Sequence, residues 1–391
     1  MPAPPKKRPS ATTKNPPMLS QEFFIQNHAD IFSCATIVII IGMMAQVTNR
    51  FAAPFVALTN NVTTAEELQL DPSRPIEYVS GWKDACTVVF YVMVCIIIHQ
   101  VIQEYLVDKL TRRMHLSKLR TSRFSESAQL IGFYLVAFVW SVDLAISKGY
   151  ITKYSTIWDN YPHARMDFAE KFFMILQIAH WLHTYAELYF QKVKKEDIPN
   201  RLVYQTINLV AVILAYVTNF HRLFTVLMVA ESAVQLVFHS AKLLHYADKN
   251  RIANPLFLAY NVMFVLARVL TVVLGGYVML YALKPSQVST VDLQQGNFNT
   301  PFVKVVLFAL VVIVNFWMLV RFVQFHFRRT RERKEAAAQR RRLAQERRSK
   351  GGPASRSASS SDDETQNQSQ PESSPASANL RSRVKAKKAE L

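Results

Sequence analysis

One apolar run, between about Phe168 and Phe190, carries His180, His183 and Glu187. Spacings of three and four residues put those side chains on one face of a helix. A later run repeats the pattern with Glu231, Gln235 and His239; Arg268 sits near the middle of the run after that, and Asp143 and Asn315 lie in two others. Residues of these types support three kinds of chemistry. Histidine and carboxylate from neighbouring helices can ligate a metal ion, and either can act as a general base in a catalytic cavity. The third reading, favoured here, is a set of interhelical hydrogen bonds with an ion pair, Arg268 to Glu231 or Asp143, lining a wet or lipid-filled groove. No metal is expected, because no tight His-x-x-x-His pair with a third fixed ligand is visible.

Soluble-enzyme signatures are missing. There is no Gly-rich phosphate loop, G-x-S-x-G elbow or H-E-x-x-H motif, and only 9 of 391 residues are glycine. No catalytic residue and no cofactor are therefore assigned.

The elements that must position these groups are blocks of roughly twenty apolar residues, the length a helix needs to cross about 30 Å of hydrocarbon. Lone strands would leave backbone groups unpaired in lipid, so the blocks are helices. Eight are expected, at about 31–48, 85–102, 128–146, 168–190, 202–217, 223–244, 255–283 and 302–323. The fold class is thus all-α, a polytopic membrane protein of about eight transmembrane helices bundled around a cavity. Cys34, Cys86 and Cys95 all fall in apolar runs and are expected to be small buried side chains. The first apolar run follows a long polar, basic lead, and is expected to stay in the membrane as an anchor.

Charge sets the orientation. The formal net charge of +18 concentrates in Lys6 to Arg8, Lys109 to Arg123, Lys192 to Lys195 and the tail from Arg328. The loop from Lys109 to Arg123 holds six bases and no acid, whereas Arg50 to Lys83 mixes three bases with four acids. By the positive-inside bias the former is cytosolic and the latter lumenal, which places both termini in the cytosol. Asn61, in the sequon Asn61-Val62-Thr63, is then a lumenal glycosylation candidate. The segment from Arg328 to Lys350 is basic with a short helical stretch. From Gly351 the tail is Ser-rich and expected to be disordered, with Ser359, Ser360 and Ser361 ahead of Asp362 as candidates for an acid-directed kinase.

Three separated stretches carry a family resemblance: HWLHTYAELYFQKVKKEDIP at His180 to Pro199, FHSAKLLHYAD at Phe238 to Asp248 and GNFNT at Gly296 to Thr300. In these the chain resembles the translocating chain-associated membrane proteins, the TRAM family of the TRAM/LAG1/CLN8 (TLC) superfamily. The resemblance implies a multi-pass protein of the endoplasmic reticulum membrane, a non-enzymatic accessory factor of the Sec translocon channel that contacts nascent secretory and membrane proteins. Phospholipids are further expected partners, as is the ribosome through the basic tail. It also implies four parts: a cytosolic segment 1–30, two membrane helices with their loops over 31–124, a TLC-like six-helix domain over 125–326 and the tail 327–391. The alternative is a lipid-binding, lipid-sensing or lipid-moving protein on the same scaffold.

Ceramide synthases belong to the same superfamily and supply a rival activity. Their Asn-x-x-Arg connection resembles Asn219 to Arg222, and their Ala-Lys resembles Ala241-Lys242. That register puts their His-His pair on Tyr204 and Gln205 and their His-Asp pair on Glu231 and Ser232. An unperturbed tyrosine titrates near 10 and an amide accepts no proton near neutral pH. Glu231 stands without its partner, and acyl transfer is not expected.

Overall fold

The computed structural model describes residues 17, 20–191 and 195–350, excluding the side chains of 347–350. The expectations for Lys6 to Arg8, Lys192 to Lys194, Ser359 to Ser361 and the tail from Gly351 fall outside those residues.

The described chain is helical apart from one two-residue strand pair. In order it forms α1 (Gln21–Gln26), α2 (His28–Met44), α3 (Gln46–Val56), α4 (Ala65–Leu70), β1 (Glu77–Tyr78), α5 (Asp84–Ile102), α6 (Asp108–Met114), α7 (Lys118–Ser147), β2 (Met166–Asp167), α8 (Phe168–Phe190), α9 (Ile198–Val217), α10 (His221–Tyr246), α11 (Asn250–Tyr277) and α12 (Pro301–Lys350). Local sequence explains several ends. Thr64 and Glu67 close a capping box on α4, and Asp167 and Glu170 do so on α8. Pro199 in the first turn of α9 occupies a place where no backbone N–H is needed. Five residues of π-helix, Gln103–Val107, join α5 to α6.

Six helical stretches are long and apolar enough to cross a membrane: Asp84–Met114, Lys118–Ser147, Ile198–Val217, His221–Tyr246, Asn250–Ala282 and Pro301–Glu346. Two of the eight expected spans fall short of that criterion. The first is broken: α2 stops after 17 residues, the backbone turns extended at Ala45, and α3 folds back with Ala52 against Gly42. At 1.5 Å per residue α2 reaches only about 26 Å. The fourth, α8, has 23 residues but spends many of them on polar groups that its neighbours bury. Pro255 lies inside α11, which starts at Asn250 rather than after the proline. The basic stretch from Arg328 continues α12 as helix, and residues 327–346 are exposed. Cys34 is exposed, and Cys86 and Cys95 are half-buried, so these thiols are not the buried fillers their apolar runs suggest.

Helix α8 is packed against α5 and α9, and α10 against α7 and α11. The core around α8 includes Val88, Ala137, Phe173, Ile175, Trp181 and Tyr216. A second cluster joins Tyr150, Tyr161, Phe220 and Met279, and a third sets Phe264 and Ala267 of α11 against Met318 and Phe322 of α12. Outward faces are apolar, as at Ile37, Val136, Leu266 and Ile313, which suits lipid.

Alternate connections gather at one end. β1 pairs antiparallel with β2, Tyr161 donates to the Thr218 carbonyl (2.8 Å), Arg222 donates to the Thr156 carbonyl (2.9 Å), and Asn219 donates to that of Gly296 (2.8 Å). The intervening connections meet at the other end, through Arg120 with Asp248 (2.5 Å), Arg201 with Glu126 (2.9 Å) and Arg321 with Asn200 (2.9 Å). An up-and-down path produces this sorting.

Candidate functional site: two buried polar clusters beside α7

The seven intramembrane candidates fall into two clusters of contacts. The first lies on α8. His183 Nδ1 faces the His180 carbonyl one turn back (2.5 Å), and the two rings are 4.9 Å apart. The His180 ring stacks flat on Phe133 of α7, and its Nε2 is buried with no hydrogen-bond partner among the described residues. One turn further, Glu187 Oε2 lies 3.4 Å from His99 Nε2 of α5. Gln191, just past the helix end, donates to Glu187 Oε2 (2.8 Å).

The second cluster bridges α10 and α11. Arg268 forms a tight ion pair with Glu231, and Gln235 donates to the other Glu231 oxygen (2.8 Å). The Arg268 guanidinium lies over the Phe264 ring (5.2 Å) and also contacts the Met318 sulfur of α12 (3.2 Å). Its Nε finds no partner among the described residues. His239 stacks on Tyr134 of α7, whose hydroxyl meets that of Tyr204 (3.2 Å). Adjacent residues of α7, Phe133 and Tyr134, therefore cover one cluster each. Asp143 is exposed, so of the two candidate partners it is Glu231 that Arg268 takes. Asn315 is buried and donates back to the Val311 carbonyl (2.7 Å).

Two functional-looking groups escaped the sequence reading. His99, at the end of an otherwise apolar run, stood without a patterned neighbour on its own helix. Lys171 and Asp84 also pair, at 2.7 Å, with the Lys171 side chain wholly buried. Lys171 Nζ donates to the carbonyls of Thr59 (2.7 Å) and Val79 (2.8 Å), and Asp84 accepts from Tyr216 (2.7 Å), the Gly81 N–H (2.8 Å) and Thr59 (3.0 Å). This satisfied network clamps the first loop onto α5, α8 and α9.

In that loop Asn61 is exposed and its Oδ1 accepts from the Thr63 N–H (2.8 Å), while Thr63 Oγ1 accepts from the Glu77 N–H (2.7 Å). A pocket of about 780 Å³ opens between α1, α8 and the start of α9; Ile25, Tyr185, Leu188 and Tyr189 line it, with Lys195 at its edge. None of the seven polar candidates lines that pocket.

At the positions that resemble the ceramide synthase pairs, the side chains are held in local hydrogen bonds or, for Glu231, in the ion pair with Arg268. Tyr204 is tied to Tyr134, Gln205 donates weakly to the Thr184 carbonyl (3.4 Å), and Ser232 donates to its own helix at Met228.

Helices alternating through a membrane, with polar clusters buried between them, define a polytopic α-helical membrane protein, and residues 123–324 match the TLC domain of the TRAM/LAG1/CLN8 family. The chain belongs to this family and, within it, to the translocating chain-associated membrane proteins. It is 37% identical to human translocating chain-associated membrane protein 2 over 322 residues, covering 82% of this chain and 85% of that one. The mouse counterpart is 38% identical over the same shares. A ceramide synthase of Gibberella moniliformis is 23% identical over 192 residues, 49% of this chain and 45% of that one.

Proposed function

We propose that the chain is a non-enzymatic accessory factor of the Sec translocon in the endoplasmic reticulum membrane. It receives signal sequences and transmembrane segments of nascent chains beside the channel. The observation that carries this reading is its similarity, over 82% of its length, to relatives named for association with translocating chains. The end that gathers Arg120, Arg123 and Arg201 faces the cytosol, as do both termini, and the end that carries Asn61 faces the lumen, where Asn61 is glycosylated. Residues 125–326 form the receiving domain, and the basic segment after Arg328 contacts the ribosome.

The buried Glu231–Arg268 pair suits a receiving role. A charged residue at the centre of a membrane helix costs about 2.5–3.5 kcal/mol on insertion scales, so a paired charge that can exchange partners lowers that barrier. The test is site-specific photocrosslinking from a stalled membrane-protein chain that carries one charge in its hydrophobic segment. Replacing both Glu231 and Arg268 by leucine is expected to weaken that crosslink, while an all-apolar segment crosslinks as before. Equal crosslinking of both segments to the variant would contradict the role of the pair.

A second reading rests on the pocket beside α1. Its apolar walls and Lys195 edge fit a phospholipid, with acyl chain inside and phosphate outside. Phospholipid co-purifying with the protein and lost on Leu188→Trp is the expected result.

A further inference from the structure

Polar side chains from two helices converge where α8 ends. His99 of α5 and His183 and Glu187 of α8 each point one ligand atom into a space where all three lie within 4.8 Å of one another. We propose that His99, His183 and Glu187 bind a divalent ion of the zinc class.

The donor chemistry fits. Two imidazoles and a carboxylate are a set that zinc accepts with a fourth position left open, at bond lengths of about 2.0–2.2 Å. A tetrahedron of such bonds has edges of roughly 3.3–3.6 Å. The distance between His99 Nε2 and Glu187 Oε2 is 3.4 Å.

The surroundings orient the donors. His183 Nδ1 sits against the His180 carbonyl, which fixes the proton there and turns the Nε2 lone pair outward. An imidazole anchored by its other nitrogen is the usual second layer of a metal site. Gln191 Nε2 donates to Glu187 Oε2 (2.8 Å), which has a further lone pair for an ion, and its longer contact to His99 Nε2 (3.3 Å) is one that a bound ion replaces, since that nitrogen has a single lone pair.

A separate observation points to a ligand. Glu187 is only 8% exposed, yet its Oε1 has no hydrogen-bond partner among the described residues. A buried carboxylate needs a counter-charge, a full set of donors or a proton, and among the described residues no Lys or Arg is paired with Glu187. A divalent ion supplies the charge and ties α5 to α8.

The test uses the full chain in detergent, purified without a polyhistidine tag, stripped with chelator, loaded with zinc, desalted and assayed for bound metal. One zinc per chain is expected. His99→Ala and Glu187→Gln should each lose it. His180→Gln, beside the site but outside the ligand set, should keep one zinc. Cobalt(II) in the unsubstituted protein should give ligand-field bands that zinc abolishes, with X-ray absorption counting two imidazoles; this arm stands even where a variant fails to fold. Absence of bound zinc together with only the aqueous cobalt spectrum would overturn the assignment, as would one zinc retained in both His99→Ala and Glu187→Gln.

Discussion

Helix α8 contains two opposite treatments of buried polarity. Near its start, Lys171 and Asp84 are paired at 2.7 Å, and their remaining donors and acceptors meet Thr59, Val79, Gly81 and Tyr216. Farther along, Gln177 Oε1, His180 Nε2 and Glu187 Oε1 are buried without partners among the described residues. Leaving such an atom unmade costs about 1–3 kcal/mol each, whereas a complete network holds elements in place. The first region therefore serves the fold, and the second leaves polar atoms that the fold alone does not satisfy. The Arg268–Glu231 cluster sits between these cases: paired, but with Arg268 Nε unpartnered.

Breaking the satisfied network should have the largest effect. Lys171→Met or Asp84→Leu alone leaves its partner's charge buried and should cost about 3–5 kcal/mol, read as a lower melting temperature in detergent. Crosslinking by whatever protein remains folded should be unchanged per molecule. Arg268→Leu alone strands Glu231 and is expected to destabilise by less, because this pair is less deeply buried than Lys171 and Asp84. Adding Glu231→Leu should recover most of that stability, since two apolar groups replace a buried pair at little net cost. The double variant separates the regions most sharply: stable, but weakened in crosslinking to a charge-bearing segment.

A pH effect belongs to the loop end. His163, whose Nε2 meets the Asp159 carbonyl (2.8 Å), is pushed down to about 3, first by burial and then by nearby Arg222. The unfolded chain takes up this proton near pH 6.5 and the folded chain does not. Stability from His163 is therefore complete above about 6.5 and falls by about 1.4 kcal/mol per pH unit below it, levelling off near 3. Unfolding midpoints between pH 7 and 5 measure this, and His163→Gln should make that part of the profile shallower by about 1.4 kcal/mol per pH unit. The smallest effect is expected at His180→Phe. It keeps a ring on Phe133 and removes an unpartnered nitrogen, so stability should change by less than about 1 kcal/mol.

Long apolar helices were the most legible feature, because a twenty-residue run of β-branched and aromatic residues in lipid has one solution. Helix α8 was legible as a helix, but its place inside the bundle was not, since periodicity does not say which polar face is covered. An ion pair of Arg268 with Glu231 or Asp143 was legible from charges within apolar runs, and the structure decides for Glu231. The Lys171–Asp84 network was invisible because both residues stand at ends of apolar runs, where an interfacial charge needs no partner. His99 was missed for the same reason. The break at Ala45 had a local sign in the polar Gln46, Thr48, Asn49 and Arg50 that follow it.

The proposed reception of nascent hydrophobic segments at the translocon is best probed with a photoreactive residue in the signal sequence of a stalled secretory chain, in vesicles reconstituted with the channel and the full-length protein. A strong crosslink to this protein is expected, together with a loss of translocation when it is omitted. Absence of a crosslink across several signal sequences, with translocation unchanged by its omission, would contradict it.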